Sequence, residues 1–264
     1  MKTHLIGIVA LALVTGLASG AAHAQQTFTG TGTYTGNGGT GFGGNIGNGS
    51  LTLAYNAGTQ SIDATLNTIG GLGGNALVLY IDNNVSTGIG SNTSTLTDTG
   101  IPAGTDGGRT AISGFSTNGR TQVNFATGFD PLYGITVEPG FSGLFNLSTP
   151  SNFGFVASNN VVNANPTFTF SFTLASIGLN PALSNNIDFV GTYISTTAFR
   201  ANETIGASVT NPAGNGGFTG TQTFSAFNRL TTFAPVVVPE AGTLALAITG
   251  LSVIGAVVAR RRAA

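Results

Sequence analysis

Apolar and polar residues alternate with a period of two along most of this chain. The clearest stretch is Thr167-Phe168-Thr169-Phe170-Ser171-Phe172-Thr173-Leu174, which puts Phe168, Phe170, Phe172 and Leu174 on one face and the hydroxyl residues on the other. Such a stripe reads as a core-facing strand rather than an aromatic binding platform. Shorter runs predict strands at 50–55, 61–67, 76–81, 111–115, 121–125, 135–137, 143–147, 153–157 and 187–195. The alternations at 27–34 and 218–225 are alike, which predicts that the first and last strands share one sheet and bring the domain's ends together. Glycine-rich segments at 36–49 and 211–217 read as loops, and 175–179, ahead of Asn180-Pro181, as a single helical turn. Neither glycine-rich loop has the spacing of a phosphate cradle. Short strands separated by Gly, Asn, Pro and Asp predict an all-β fold, an antiparallel β-sandwich or jelly roll.

The two ends break this pattern. Lys2, an apolar stretch over 5–18 and the small-x-small site Ala22-His23-Ala24 before Gln25 have the form of a secretory signal peptide with an apolar helix, cut between Ala24 and Gln25 by a signal peptidase. At the other end, 241–259 is uncharged and apolar, long enough for a transmembrane helix of about 28 Å. Arg260, Arg261 and Arg262 follow and are costly to move across a bilayer, so the body is expected on the opposite side from them. The organisation read from the sequence is therefore a signal peptide over 1–24, a β-sandwich domain over 25–230, a tether over 231–238 and a tail over 239–264.

Pro239-Glu240-Ala241, the apolar run and the terminal arginines together resemble the PEP-CTERM sorting signal of Gram-negative bacteria. The resemblance covers 238–262 and departs from the pattern at Ala241, where the second proline of Pro-Glu-Pro is expected. It implies that an exosortase-type enzyme in the inner membrane recognises Pro239 and Glu240, with Arg260, Arg261 and Arg262 retaining the tail until it is removed. The protein is then passed to the cell surface, outer membrane or extracellular matrix. The alternative is a single-span anchor that is never cleaved.

Composition removes several chemistries. Both histidines, His4 and His23, and the single lysine, Lys2, lie within 1–24, and the chain has no cysteine or tryptophan. The body therefore lacks the residues for a Ser-His-Asp or Cys-His triad, a Ser-Lys dyad, a Schiff-base lysine, a His/Cys zinc site or a disulfide. Over 25–234 its charges are Arg109, Arg120, Arg200 and Arg229 against Asp63, Asp82, Asp98, Asp106, Asp130, Glu138, Asp188 and Glu203. That balance gives no footprint for nucleic acid.

Leu77-Val78-Leu79-Tyr80-Ile81-Asp82, then Asp106-Gly107-Gly108-Arg109-Thr110-Ala111-Ile112-Ser113, then the strand at 167–174 leading into Ala175-Ser176-Ile177-Gly178-Leu179, are together similar to the family-9 carbohydrate-binding and DOMON-like β-sandwiches. That resemblance implies sugar binding, although the family's stacking tryptophans and its haem-binding Met or His have no counterpart here.

Two constellations of oxygen ligands stand out. Asp82, Asn84 and Ser86 place side-chain oxygens at alternate positions after a strand, and Asp98 and Asp106 in the next loop would complete a calcium site. The competing reading is an Asx-turn leaving the strand. Asp82, Asp98, Asp106, Asp130 and Glu138 are also the acids available to a glycoside hydrolase, which needs two carboxyls roughly 5–9 Å apart. Arg109 and Arg120 are expected to pair with Asp106 or Asp82. The sequence thus points to a non-enzymatic, exported surface or matrix protein, structural or adhesive. A carbohydrate-binding module acting on extracellular polysaccharide is the alternative, and a hydrolase is further off. Exposed Tyr55, Tyr80, Tyr133 or Tyr193 on a concave face would favour sugar, and a flat polar face the structural role.

Overall fold

Alternation in the sequence becomes alternation in burial: along Ser50–Asn56 every second residue is buried, and along Thr167–Thr173 the three phenylalanines are buried while the hydroxyl residues face outward. The computed structural model describes residues 25–31, 43–100, 106–159, 162–209 and 219–232. Ala22, Ala24, Pro239, Glu240, Arg260, Arg261, Arg262 and the apolar run 241–259 lie outside them. Among the described residues no helix is long and apolar enough to cross a membrane.

Among the described residues the body, His23–Ala234, is mostly antiparallel β-structure with one short α-helix. In chain order the elements are β1 (Gln25–Thr31), β2 (Ser50–Asn56), β3 (Ser61–Asn67), β4 (Asn75–Asp82), α1 (Gly107–Ser113), β5 (Phe115–Ser116), β6 (Gly119–Arg120), β7 (Gln122–Asn124), β8 (Tyr133–Glu138) and β9 (Phe141–Asn146). They continue with β10 (Gly154–Asn159), β11 (Val162–Ala164), β12 (Thr167–Thr173), a 3-10 turn (Ala175–Ile177), β13 (Asn185–Ser195), β14 (Arg200–Ile205), β15 (Thr221–Thr223) and β16 (Asn228–Thr232). The large sheet runs β10-β9-β8-β4-β13-β14-β1-β2-β3-β12-β11, with β16 also paired to β13. Its corner is β1, whose first five residues pair with β2 and whose Gly30 and Thr31 pair with β14. Gly30 has to be glycine there, because an added Cβ would stand 1.8 Å from the Ile46 carbonyl oxygen.

Two cores flank β4 and β13. Leu77, Leu79 and Ile81 of β4 and Ile187, Phe189 and Tyr193 of β13 meet the inward residues of β2, β3 and β12. Val78, Tyr80, Val190 and Ile194, on the opposite faces of the same strands, meet α1, Val123, Phe125, Phe145 and Phe224. Burial on both sides is why β4 reads as a continuous apolar run and not an alternating one. Each fully buried side chain of this size is worth about 1.5–3 kcal/mol.

Two sequence expectations are corrected. The predicted strand at 111–115 is helix α1 as far as Ser113: Asp106 caps its N-terminus, accepting the Arg109 amide at 3.1 Å, and Gly114 at φ 60° ends it. The segment expected to share a sheet with the first strand contributes β15, which runs parallel to β7 in a separate two-stranded sheet; β1 lies between β14 and β2. Neither β14 nor β16 was expected. β16 reaches Thr232.

Candidate functional site

Register, not sequence proximity, decides where the candidate acids meet. Asp82, near the end of β4, stands opposite Asp188 of β13. Two like charges across a ladder are compensated individually. Asp188 takes both the Nε and Nη2 of Arg229 at 2.6 Å and accepts Asn84 Nδ2 at 3.1 Å. Asp82 accepts the Asn84 amide at 2.7 Å and the Asp130 amide at 2.8 Å. Burial raises the Asp82 pKa against these two backbone bonds, and repulsion from Asp188 and Asp130 adds to the rise. Asp188 in turn holds the Arg229 guanidinium more firmly protonated. Asn83 continues the turn, its Oδ1 accepting the amides of Val85 at 3.2 Å and Ser86 at 3.1 Å. The loop from Asp82 to Ser86 is therefore a pair of side-chain-to-backbone turns, with Asn84 at φ 58° between them.

Asp98 and Asp106 belong to a different cluster, built around Arg109 of α1. Asp98 receives Arg109 Nε at 2.5 Å and Nη2 at 2.6 Å, and also the Phe153 amide at 3.1 Å. The guanidinium lies over the Phe145 and Phe153 rings and gives a further bond to Asn152 Oδ1 at 3.0 Å. The expected pairing of Arg109 with Asp106 or Asp82 is thus replaced by pairing with Asp98, while Asp106 is spent on the helix cap. Arg120 meets no acid: its Nη1 donates to the Leu96 carbonyl at 2.7 Å and its plane covers Phe115. Burial lowers the Arg120 pKa. The five proposed calcium ligands are divided between these two clusters. Among the described residues no three His, Cys, Asp or Glu side chains converge to hold a metal ion.

Sequence reasoning gave Glu138 no special place among the acids. It ends β8 against Gly107 and Gly108, where an added Cβ on Gly108 would stand 2.5 Å from its Oε1. Burial pushes the Glu138 carboxyl up, the Thr136 hydroxyl at 3.2 Å opposes this, and Asp106 adds repulsion. Beside this corner lies a cleft of about 310 Å³ lined in part by Asp98, Asp106, Ser113, Phe115, Asn118 and Thr197. Asp130, the remaining candidate acid, accepts the amides of Gly88 at 2.9 Å and Gly90 at 2.7 Å.

The tyrosines are core residues: Tyr55, Tyr80, Tyr133 and Tyr193 are at most 7 % exposed. The outer face of β1, β2, β3 and β12 is instead hydroxyl and amide. Thr27, Thr52, Thr65 and Thr169 pair across four adjacent strands as one row, and Thr29, Ser50, Asn67 and Thr167 form the next. Strands lie about 4.8 Å apart, so these rows are regularly spaced. Thr27 and Thr52 join hydroxyls at 2.9 Å, Thr167 donates to Asn67 at 2.9 Å, and Asp63 is the only charge the paired strands place on this face. No protein-family model, characterised protein or solved structure matches this chain, so its function is argued from these residues alone.

Proposed function

We propose that this protein is an exported, non-enzymatic component of a bacterial surface or extracellular matrix, a β-sandwich with a structural or adhesive role. The observation that carries this reading is the broad, nearly uncharged hydroxyl face on β1, β2, β3 and β12, with Tyr55, Tyr80, Tyr133 and Tyr193 turned into the core. Such a face offers many weak hydrogen bonds and no stacking platform, which suits attachment to neighbouring polymer rather than capture of one sugar. The acids support the same reading, because Asp82, Asp98, Asp106, Asp130 and Asp188 are engaged by backbone amides or arginine. Delivery rests on the signal peptide and on the PEP-CTERM-like tail, processed by an exosortase-type enzyme.

Two experiments test the proposal. Replacing Arg260, Arg261 and Arg262 with neutral residues should block tail removal or mis-sort the protein, read by intact mass; normal processing overturns the sorting reading. Lysines introduced together at Thr27 and Thr169, which lie on the same row with two strands between them, should shift the protein from the matrix fraction to the medium with an unchanged unfolding midpoint. Full retention overturns the adhesive reading.

A second reading, carbohydrate binding, draws on the cleft beside α1, where Phe115 is 39 % exposed among hydroxyl side chains. A glycan screen with and without calcium decides it, and turnover of a matrix polysaccharide would move the assignment to a hydrolase with Asp106 and Glu138 as its acids.

A further inference from the structure

Arg200 opens β14 and is fully buried, at 0 % exposure. Its Nη1 donates to Thr192 Oγ1, and the Tyr80 hydroxyl lies alongside. Among the described residues its Nε and Nη2 meet no hydrogen-bond acceptor. The other two deeply engaged arginines show what that edge is for: Arg109 and Arg229 each present Nε and Nη2 together to a carboxylate. Arg200 has the same fork in a more enclosed place, and among the described residues the ion pairs are only Arg109–Asp98 and Arg229–Asp188.

Nothing nearby balances the charge from within. Glu203, on the same strand, is engaged elsewhere: its carboxylate takes the amides of Gly44, Ile46 and Gly47 at 2.7–2.9 Å, and Ile46 belongs to the core beneath β2, β3 and β12. Burial raises the Tyr80 pKa against the lowering pull of the neighbouring Arg200 guanidinium, and the Tyr80 hydroxyl donates to the Ile112 carbonyl at 2.6 Å, so Tyr80 gives Arg200 a neutral contact and no countercharge. A guanidinium cannot shed its proton to escape, as a buried lysine can. An uncompensated buried charge of this kind costs several kcal/mol, and water satisfies its donors without neutralising it.

We infer that the Nε/Nη2 edge of Arg200 binds a small monovalent inorganic anion of the halide class, chloride in ordinary media. The enclosure favours a single-atom anion. Gly114, held at φ 60°, covers this region so closely that an added Cβ would lie 3.2 Å from Nη2, and Thr121 packs against the same turn. Ser113 and Phe115, on either side of Gly114, line the cleft beside α1, so the turn that covers Arg200 is also part of the cleft wall.

The test uses protein purified after expression of the full chain. In crystals soaked in bromide, anomalous scattering should place a bromide within hydrogen-bonding reach of Nε and Nη2. In urea titrations at fixed ionic strength, with gluconate progressively replaced by bromide, the unfolding constant should fall about tenfold for each tenfold rise in bromide once the site is filling. Arg200→Met should remove that dependence while remaining folded in both salts. A water in place of bromide, or superimposable bromide and gluconate titrations, overturns the inference. If Arg200→Met does not fold, the two wild-type measurements decide the matter alone.

Discussion

Replacing Asp98 with asparagine removes one negative charge and almost no volume, so its effect isolates electrostatics from packing. The pair it breaks is well enclosed, with side-chain exposures of 8 % for Arg109 and 2 % for Asp98. Arg109 would lose its countercharge and one of two acceptor oxygens, and keep its contact with Asn152 and its place over two phenylalanine rings. The rings return about 2 kcal/mol when desolvated. Stranding a buried charge by removing its partner costs about 3–5 kcal/mol, and that is the loss expected here. With no tryptophan in the chain, urea unfolding is followed by tyrosine fluorescence and far-ultraviolet circular dichroism. For a domain of this size the same loss lowers Tm by roughly 6–20 °C. Combining Asp98→Asn with Arg109→Met removes the charge along with its partner, and should recover about half of the lost stability. A loss below about 1 kcal/mol for Asp98→Asn would refute the claim that this pair ties α1 to the loops at 98 and 152. A double variant as weak as the single one would show that packing of the arginine stem, not charge, holds the cluster.

The raised Glu138 pKa fixes the sign of a pH effect: the folded chain holds this proton more tightly than the unfolded one, so its contribution is most favourable below the unfolded value of about 4.3 and declines as pH rises through the folded value. Glu138→Gln should therefore gain on the wild type between acid and neutral pH in urea titrations, and parallel stability curves would contradict the assignment. Phe170→Ala, at a position 4 % exposed in the core beneath β12, should cost about 3–5 kcal/mol by the same assay.

The strands that were legible are those whose environment is simple. β2, β3 and β12 have one wet and one dry face, so period two in the sequence is period two in burial. β4 and β13 are dry on both faces and could be read as continuous apolar runs. β14 was not legible, because Arg200, Asn202 and Glu203 mark a surface loop by every local rule, yet all six of its residues are buried. What buries Glu203 is a set of three amides more than 150 residues earlier in the chain, which no local pattern encodes. Helix α1 was legible in principle, since Asp106 and Gly114 bracket it as caps, but the short run at 111–115 fits two periods equally well. The site suffered from the same limit. Spacing placed Asp98 and Asp106 in one loop as possible partners of Asp82, whereas the fold turns Asp98 onto Arg109 and spends Asp106 on the cap.

This pattern has a consequence for the outer surface. The body has twelve charged residues, four arginines and eight acids, and five of them, Asp82, Arg109, Asp188, Arg200 and Glu203, are buried. Charged groups are seldom buried without partners, and four of these five have identifiable ones: Asp82 and Glu203 take backbone amides, Arg109 takes Asp98, and Asp188 takes Arg229. Charge in this protein therefore serves largely to fasten loops, α1 and β16 onto the sheet. The face on β1, β2, β3 and β12 is left to hydroxyls and amides, and contacts made through it are short-ranged and little affected by salt. Ions hold the fold, and neutral hydrogen bonds are what this face offers to its surroundings.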